Sequence, residues 1–352
     1  MKKVFVSDLQ EDMVIGQDTY TTSGIMIIPS GVVVTKPIID HLTALGLIEV
    51  IIDEKAKKVE EPVDPVREKK FVEFNKKYTR SRDKLNNTFA KILKSDVNKD
   101  DVEELIDESW KMMDEDSNTY ETLGMIYSMH SYSDATYMHC MNVGVIATLI
   151  GKWLGWKEDD LKILNACGMF HDIGKLSIPK EILDKPGKLT DKEYEIMKTH
   201  AIKGYELLKN SGVDRRIIKS ALMHHERCDG SGYPLKLKAD KLDDYTKIIA
   251  IADVYEALTA NRVYRSSMCP FDVIAQFENT GFGVFDTKIL LVFLQNIINS
   301  YLHSEVKLNN GESAEVVLIN KQAGSKPVLI TTSGRTIDLM KEPNIKISEV
   351  IG

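Results

Sequence analysis

Cysteine is scarce. Cys140, Cys167, Cys228 and Cys269 are the only four in 352 residues, and none pair as C-x-x-C, so neither a zinc finger nor a disulfide framework is legible. No stretch stays apolar long enough to span a bilayer, and the opening Met1 to Asp8 carries an acid where a secretion signal needs an apolar run. The expectation is a cytoplasmic chain with free thiols and no membrane partner. Basic charge is also in short supply: 46 Lys and Arg against 53 Asp and Glu leave a net charge of -7. A duplex nucleic-acid binder normally shows a basic face, so that class is set aside. A nucleotide ligand would have to meet local cations, from metals or a few Arg and Lys. Internal repeats and low-complexity tracts are missing as well. What the chain does have is apolar content, 43% of its residues, enough for a sizeable core and two or three domains.

Four segments are expected. Residues 1–53 read as a small α+β module, with β-type runs at Val4 to Val6, Ile25 to Ile28 and Ile48 to Ile52. Its one helix would be capped by Thr35, carry Ile38, Leu42 and Leu45 as an apolar stripe, and stop at Gly46. Glu54 to Arg67, charged and holding Pro62 and Pro65, reads as a linker. It opens residues 54–119, whose helices place Phe71, Phe74, Tyr78, Leu85, Phe89 and Ile92 on one face. Their charged side is a solvated face, or else the flank of a dimer-forming bundle. Residues 120–305 are strongly helical in pattern. Residues 306–352 read as a small β module of two hairpins, turning at Asn309-Asn310-Gly311 and at Ser333-Gly334. The fold class is therefore mainly α, an all-helical central domain flanked by two small modules.

Chemistry concentrates in the helical segment, around His171-Asp172-Ile173-Gly174-Lys175. An imidazole beside a carboxylate offers a nitrogen and an oxygen to one divalent metal, with a Lys near enough to neutralise charge on a phosphate. Alone the pair carries little, since His-Asp at a helix end is usually solvated. More donors follow: His200, the doublet His224-His225, and Asp253, with His139 upstream. Five of the eight histidines thus fall in one series, and their helical spacing turns them inward with the apolar residues. Five imidazoles and Asp172 already exceed one tetrahedral site, and Asp253 makes seven groups, which suits two adjacent divalent ions with Asp172 between them. A thiolate-free, imidazole-rich set suits Fe, Mn, Zn or Ni, and spacing does not choose among them. Lys175 is positioned to steady charge on phosphoryl oxygens, or is a helix-end Lys in water. After the doublet, Asp229-Gly230-Ser231-Gly232-Tyr233-Pro234 is a turn in which Tyr233 can stack on a base, while glycines such as Gly232 let backbone approach the ligand. Arg262 and Arg265 can reach a phosphate or a guanine edge, or pair with surface acids.

Together these residues resemble the HD-GYP family of HD metal-dependent phosphohydrolases. The likeness runs over roughly residues 120–300. It is carried by His139, by His171 to Lys175 with Ile178-Pro179, by Lys185-Pro186-Gly187-Lys188-Leu189, and by His200 with Gly204. It continues through His224-His225-Glu226-Arg227-Cys228-Asp229-Gly230-Ser231-Gly232-Tyr233-Pro234 and through Ile251 to Thr259 with Arg262 and Arg265. The resemblance implies hydrolysis of cyclic di-GMP, to linear pGpG and/or GMP, by a hydroxide that two metals activate. It implies His139, His171, Asp172 and Asp253 around one ion and Asp172, His200, His224 and His225 around the other, Fe or Mn, with Zn and Ni as alternatives. Lys175 and Asp172 would be catalytic, while Tyr233, Gly232, Arg262 and Arg265 would hold the nucleotide. Some family members add a Glu four residues before the first His and bind a third metal; Ala135 stands there in this chain, so two ions are expected. Cys228 also departs from the family, which commonly has an aromatic there. Two alternatives accompany this reading: a cyclic di-GMP receptor with little turnover, signalling to a protein partner through its end modules, and a phosphodiesterase for another cyclic dinucleotide.

Overall fold

The computed structural model describes residues 1–11, 13–17, 19–20, 26–28, 34, 38–39, 42–43, 47–53, 65–113, 122–123, 135–185, 187–260 and 268–351. The chain divides into two compact units, Met1–Lys69 and Lys70–Gly352. In the first, β1 (Lys2–Phe5) pairs antiparallel with β4 (Glu49–Ile52), and β2 (Thr19–Tyr20) with β3 (Met26–Ile28). Alternation along β4 turns Val50 and Ile52 inward, onto a small core with Val6, Leu9, Ile15 and Leu42. Thr35, Leu45 and Gly46, expected to cap, line and end the helix here, lie outside the described residues, as does the linker up to residue 64. The linker was expected to reach Arg67. Helix α1 instead starts at Pro65, where a proline's missing N–H costs nothing in the first helical turn.

The second unit is mainly helical. After α1 (Pro65–Leu93) come α2 (Lys99–Trp110), α3 (Ala135–Trp153) and α4 (Glu158–Phe170). A 3-10 turn (Ile173–Ser177) leads through α5 (Lys180–Leu183), α6 (Asp191–Lys198) and α7 (His200–Leu208) to α8 (Arg215–Met223). Then follow α9 (Asp244–Thr259), α10 (Pro270–Thr280) and α11 (Thr287–Asn299). The ends are fixed by side chains that satisfy the first free N–H groups. Thr190 and Glu193 form a reciprocal box at α6, and Asp214, Asp243 and Asp286 accept from the opening turns of α8, α9 and α11.

From Met138 to Ile150, α3 is buried on every side, as a helix apolar all round must be. It packs against α4 and α9. The α3–α4 crossing is set by two glycines: a Cβ on Gly168 would lie 2.4 Å from the Gly144 Cα, so only hydrogen at both positions lets the backbones approach this closely. A second close approach lies at the 3-10 turn, where a Cβ on Gly174 would fall 1.9 Å from the His200 carbonyl oxygen. These two contacts draw α3, α4 and α7 together at the level of His139, His171 and His200.

The C-terminal strands β5 (Glu305–Leu308), β6 (Ser313–Leu318), β7 (Val328–Thr331), β8 (Thr336–Asp338) and β9 (Ile347–Val350) form one antiparallel sheet, ordered β8-β7-β6-β5-β9. Gly311 and Gly334 turn its hairpins at φ +87° and +83°, where a side chain would be strained. Strand β9 was not expected; Ile347-Ser348-Glu349-Val350 turns only Ile347 fully inward and lacks the alternation that announces a strand. We keep the finer four-segment division of the chain as a proposal.

Candidate metal centre

Each donor side chain sits at or beside a helix end, or on an inward helix face. His171 caps α4 and Asp172 begins the 3-10 turn; His200 opens α7; His224 caps α8, with His225 following; His139 lies on α3 and Asp253 on α9. All seven groups converge. Ligand atoms of Asp172, His200, His224 and His225 lie within 4.8 Å of one another, and so do those of His139, His171 and Asp253. Asp172 faces both sets. Its Oδ2 is 3.3 Å from His139 Nε2 and 3.2 Å from His171 Nε2, while its Oδ1 is 3.3 Å from His200 Nε2 and 3.7 Å from His224 Nε2.

Hydrogen bonds decide which ring nitrogens point inward. His171 Nδ1 donates to the Gly168 carbonyl at 2.6 Å, His200 Nδ1 to that of Met197 at 2.8 Å, and His224 Nδ1 to those of Ser220 and Ala221 at 3.1 and 3.2 Å. Burial keeps His200 and His224 neutral, and a neutral imidazole carries one proton, so Nε2 of these two rings is left as a bare lone pair. His200 Nε2 and His224 Nε2 then face each other at 3.2 Å, beside a buried Asp172 Oδ1 that has no hydrogen-bond partner among the described residues. Moving a proton to either Nε2 would strip the hydrogen bond from its Nδ1. Lone pairs aimed at one another without a donor are what a cation resolves, so these residues fit a divalent metal.

Electrostatics divides the rings. Burial lowers His200 to about 4 and also lowers His224 and His225, which keeps them neutral and free to ligate near neutral pH. His139 differs. Burial works against its charge, but the Glu256 carboxylate and hydrogen bonds to Asp172 and Asp253 outweigh it and raise it to about 10. Burial also works to raise Asp172 and Asp253; Lys175 and His171 overcome it at the first, His139 and His171 at the second, and both carboxyls stay well below the usual carboxylate range. Lys175 is not a solvated helix-end Lys: its ammonium donates to Asp172 Oδ2.

Tyr233 stacks on the His225 ring, centroids 4.5 Å apart and planes 28° apart. Gly232 has a structural reason of its own. The space a Cβ would take there is filled by the chain itself, with Glu226 Cα, Arg227 N and His225 O each 2.5 Å away. That glycine lets the loop fold onto the segment behind the His doublet. Arg262 and Arg265 lie outside the described residues. Cys228 is half-buried and burial raises its thiol, which leaves it a poor nucleophile.

Two acids that the sequence reading quoted but gave no role prove to be buried supports. Glu256 accepts from His139 Nδ1 and from Asn142 Nδ2, and Glu226 accepts the backbone N–H groups of Leu235 and Leu237, which ties down the loop carrying Tyr233. Glu256 stands three residues after Asp253, on the same helix face, and that spacing is the signal that could have found it. Glu226 gave none, since its partners are backbone atoms nine and eleven residues away.

A family model described as an HD domain matches residues 105–286. Among curated proteins, the chain is 38% identical over 180 residues to the cyclic di-GMP phosphodiesterase response regulator RpfG of Xanthomonas campestris, covering 50% of this chain and 47% of that protein. It is 38% identical over 165 residues to the 3'3'-cGAMP-specific phosphodiesterase 1 of Vibrio cholerae, covering 47% and 38%. The chain thus spans half or less of the length of these relatives. A solved structure of Bd1817, a HDG"Y"P protein from Bdellovibrio bacteriovorus, superposes with a TM-score of 0.56 at 13% identity, covering 84% of this chain and 99% of that one, which shows a common fold.

Proposed function

The chain belongs to the HD domain family, and from that premise we propose that it is a metal-dependent phosphodiesterase that opens cyclic di-GMP to linear pGpG and/or GMP. The observation that carries this reading is Asp172, buried between two donor sets with one carboxylate oxygen turned to each. His139, His171, Asp172 and Asp253 would hold one divalent ion, and Asp172, His200, His224 and His225 a second. Ala135 has no ligand atom for a third. Fe or Mn suits this thiolate-free set best, with Zn and Ni as alternatives. Bound ions would supply Lewis acidity toward water and the phosphate oxygens.

The remaining work falls to side chains. The Lys175 ammonium, held beside Asp172, neutralises charge growing on a phosphoryl oxygen. Tyr233, stacked on His225 and with the Lys198 ammonium 5.8 Å from its ring centre, would meet a base. Gly232 acts by holding that loop down, while Arg262 and Arg265 hold the nucleotide on the strength of their place in the sequence alone. A cytoplasmic location follows from a second-messenger substrate, and no helix among the described residues is long and apolar enough to cross a membrane.

One observation favours a second reading, hydrolysis of a mixed cyclic dinucleotide: the relative specific for 3'3'-cGAMP is as similar as the one acting on cyclic di-GMP. Both are tested at once. Protein purified without oxygen is loaded with Fe or Mn and given cyclic di-GMP and 3'3'-cGAMP separately, with linear and mononucleotide products resolved by chromatography. Faster turnover of cyclic di-GMP supports the proposal, faster turnover of 3'3'-cGAMP selects the second reading, and metal-loaded protein that binds either ligand without product overturns both.

A further inference from the structure

The HD domain match begins at residue 105, yet a side chain upstream of it, on α1, ends a buried chain of hydrogen bonds that reaches a candidate metal ligand. We propose that Tyr78 is a positioning residue for the metal centre, acting through Asn142 and Glu256 to fix the His139 ring and the nitrogen it presents. This rests on the metal-site reading above.

The argument runs in one direction along the chain. Burial, first, and the nearby Glu256 charge push the Tyr78 phenol far above its ordinary value, so it keeps its proton and serves as a donor. Its hydroxyl donates to Asn142 Oδ1 at 2.9 Å. An amide whose oxygen is so engaged must turn its NH2 the other way, and Asn142 Nδ2 donates to Glu256 Oε1 at 3.2 Å. Glu256 Oε2 is then left to accept from His139 Nδ1, and a carboxylate can only accept. His139 Nδ1 therefore carries a hydrogen, and Nε2 faces Asp172 and Asp253 at 3.3 and 3.2 Å.

Every member is buried: Tyr78 and Asn142 are 1% exposed, Glu256 2% and His139 6%. A reversed link in such surroundings leaves two donors or two acceptors in contact without water to relieve them. A carboxylate behind a ligand histidine orients the ring and strengthens it as a ligand. Tyr78 extends that support to a helix that the family match does not include.

The test uses the full chain and Mn2+ alone, with affinity measured by competition against a chelator. Glu256→Gln is expected to weaken binding about 10- to 100-fold. Tyr78→Phe, which removes one hydroxyl, is expected to weaken it up to about 5-fold, equivalent to one neutral hydrogen bond of about 1 kcal/mol. Tyr255→Phe is the control, because its hydroxyl is equally buried but pairs with Tyr301 at 2.9 Å; a change under about twofold is expected. Adding Tyr78→Phe to Glu256→Gln should change little, because the last link, from residue 256 to His139 Nδ1, is already broken. Equal effects of Tyr78→Phe and Tyr255→Phe, or full additivity in the double variant, would overturn the inference while leaving the metal site intact. Wild-type protein that takes up no Mn2+ would overturn both, and protein that binds Mn2+ in this pattern but cleaves neither dinucleotide would overturn only the proposed function.

Discussion

The two donor sets that Asp172 joins settle their lone pairs in opposite ways. Around His139, a ring raised to about 10 sits among Glu256, Asp172 and Asp253, so without metal a proton occupies the middle and holds the acids together. Around His200 and His224 no proton is at hand. Both rings spend their one hydrogen on a backbone carbonyl, burial keeps them neutral, and Asp172 Oδ1 has no hydrogen-bond donor among the described residues. On these values a cation displaces a proton at the first set, whereas at the second it meets neutral rings and a carboxylate whose other oxygen is held by the Lys175 ammonium. Metal uptake at the first should therefore release a proton and strengthen with pH, whereas uptake at the second should vary little above about pH 6.5.

The largest expected effect comes from removing what the two sets share. Asp172→Ala should lose both ions and at least about a thousandfold of hydrolysis, the several kcal/mol that metal charge supplies, while circular dichroism stays helical. Retained turnover in that variant would break the account. Removing a member of one set should sharpen the contrast: His224→Ala is expected to leave one ion per chain, bound with the steep pH dependence of the His139 set, as metal analysis across a pH series would read. Next comes packing. Gly174→Ala must displace the His200 carbonyl and should cost about 1–3 kcal/mol in denaturant unfolding, with metal loss greater at the second set.

A further effect, read as pH dependence, is in the metal-free chain. His139 has a folded value near 10, above the unfolded 6.5, so its stabilisation is complete below pH 6.5 and fades as pH rises toward 10. His200, lowered to about 4, works the other way: the unfolded ring binds protons that the folded one refuses, so stability is lost as pH falls from 6.5 toward 4. Thermal melts of metal-free protein should peak near pH 6.5 and decline on both sides. A melting temperature still rising at pH 9 would contradict the assignment of a proton to the first set.

Much of this is legible in the sequence. The inward spacing of His139, His171, His200 and His224 along apolar helix faces carries the fold and the meeting of the ligands, because a helix that buries one face must bury what lies on it. What could not be read depended on groups distant in sequence or on backbone. Glu226 acts on N–H groups that carry no side-chain signature, and the link from Tyr78 to Asn142 crosses 64 positions. Gly232 was legible as a required glycine but not in its reason, since a pattern does not say which atoms fill the vacant Cβ space. Pro65 was read as a linker residue because Glu54 to Arg67 is charged and holds two prolines, a composition that does not tell a linker proline from one that opens a helix.

The most direct test is anomalous diffraction from crystals of the full chain grown with Mn2+ under anaerobic conditions. Two Mn2+ peaks, one facing each oxygen of Asp172, are expected, with His139, His171 and Asp253 on one and His200, His224 and His225 on the other. A single peak, a third one, or two ions that do not share Asp172 would contradict the account.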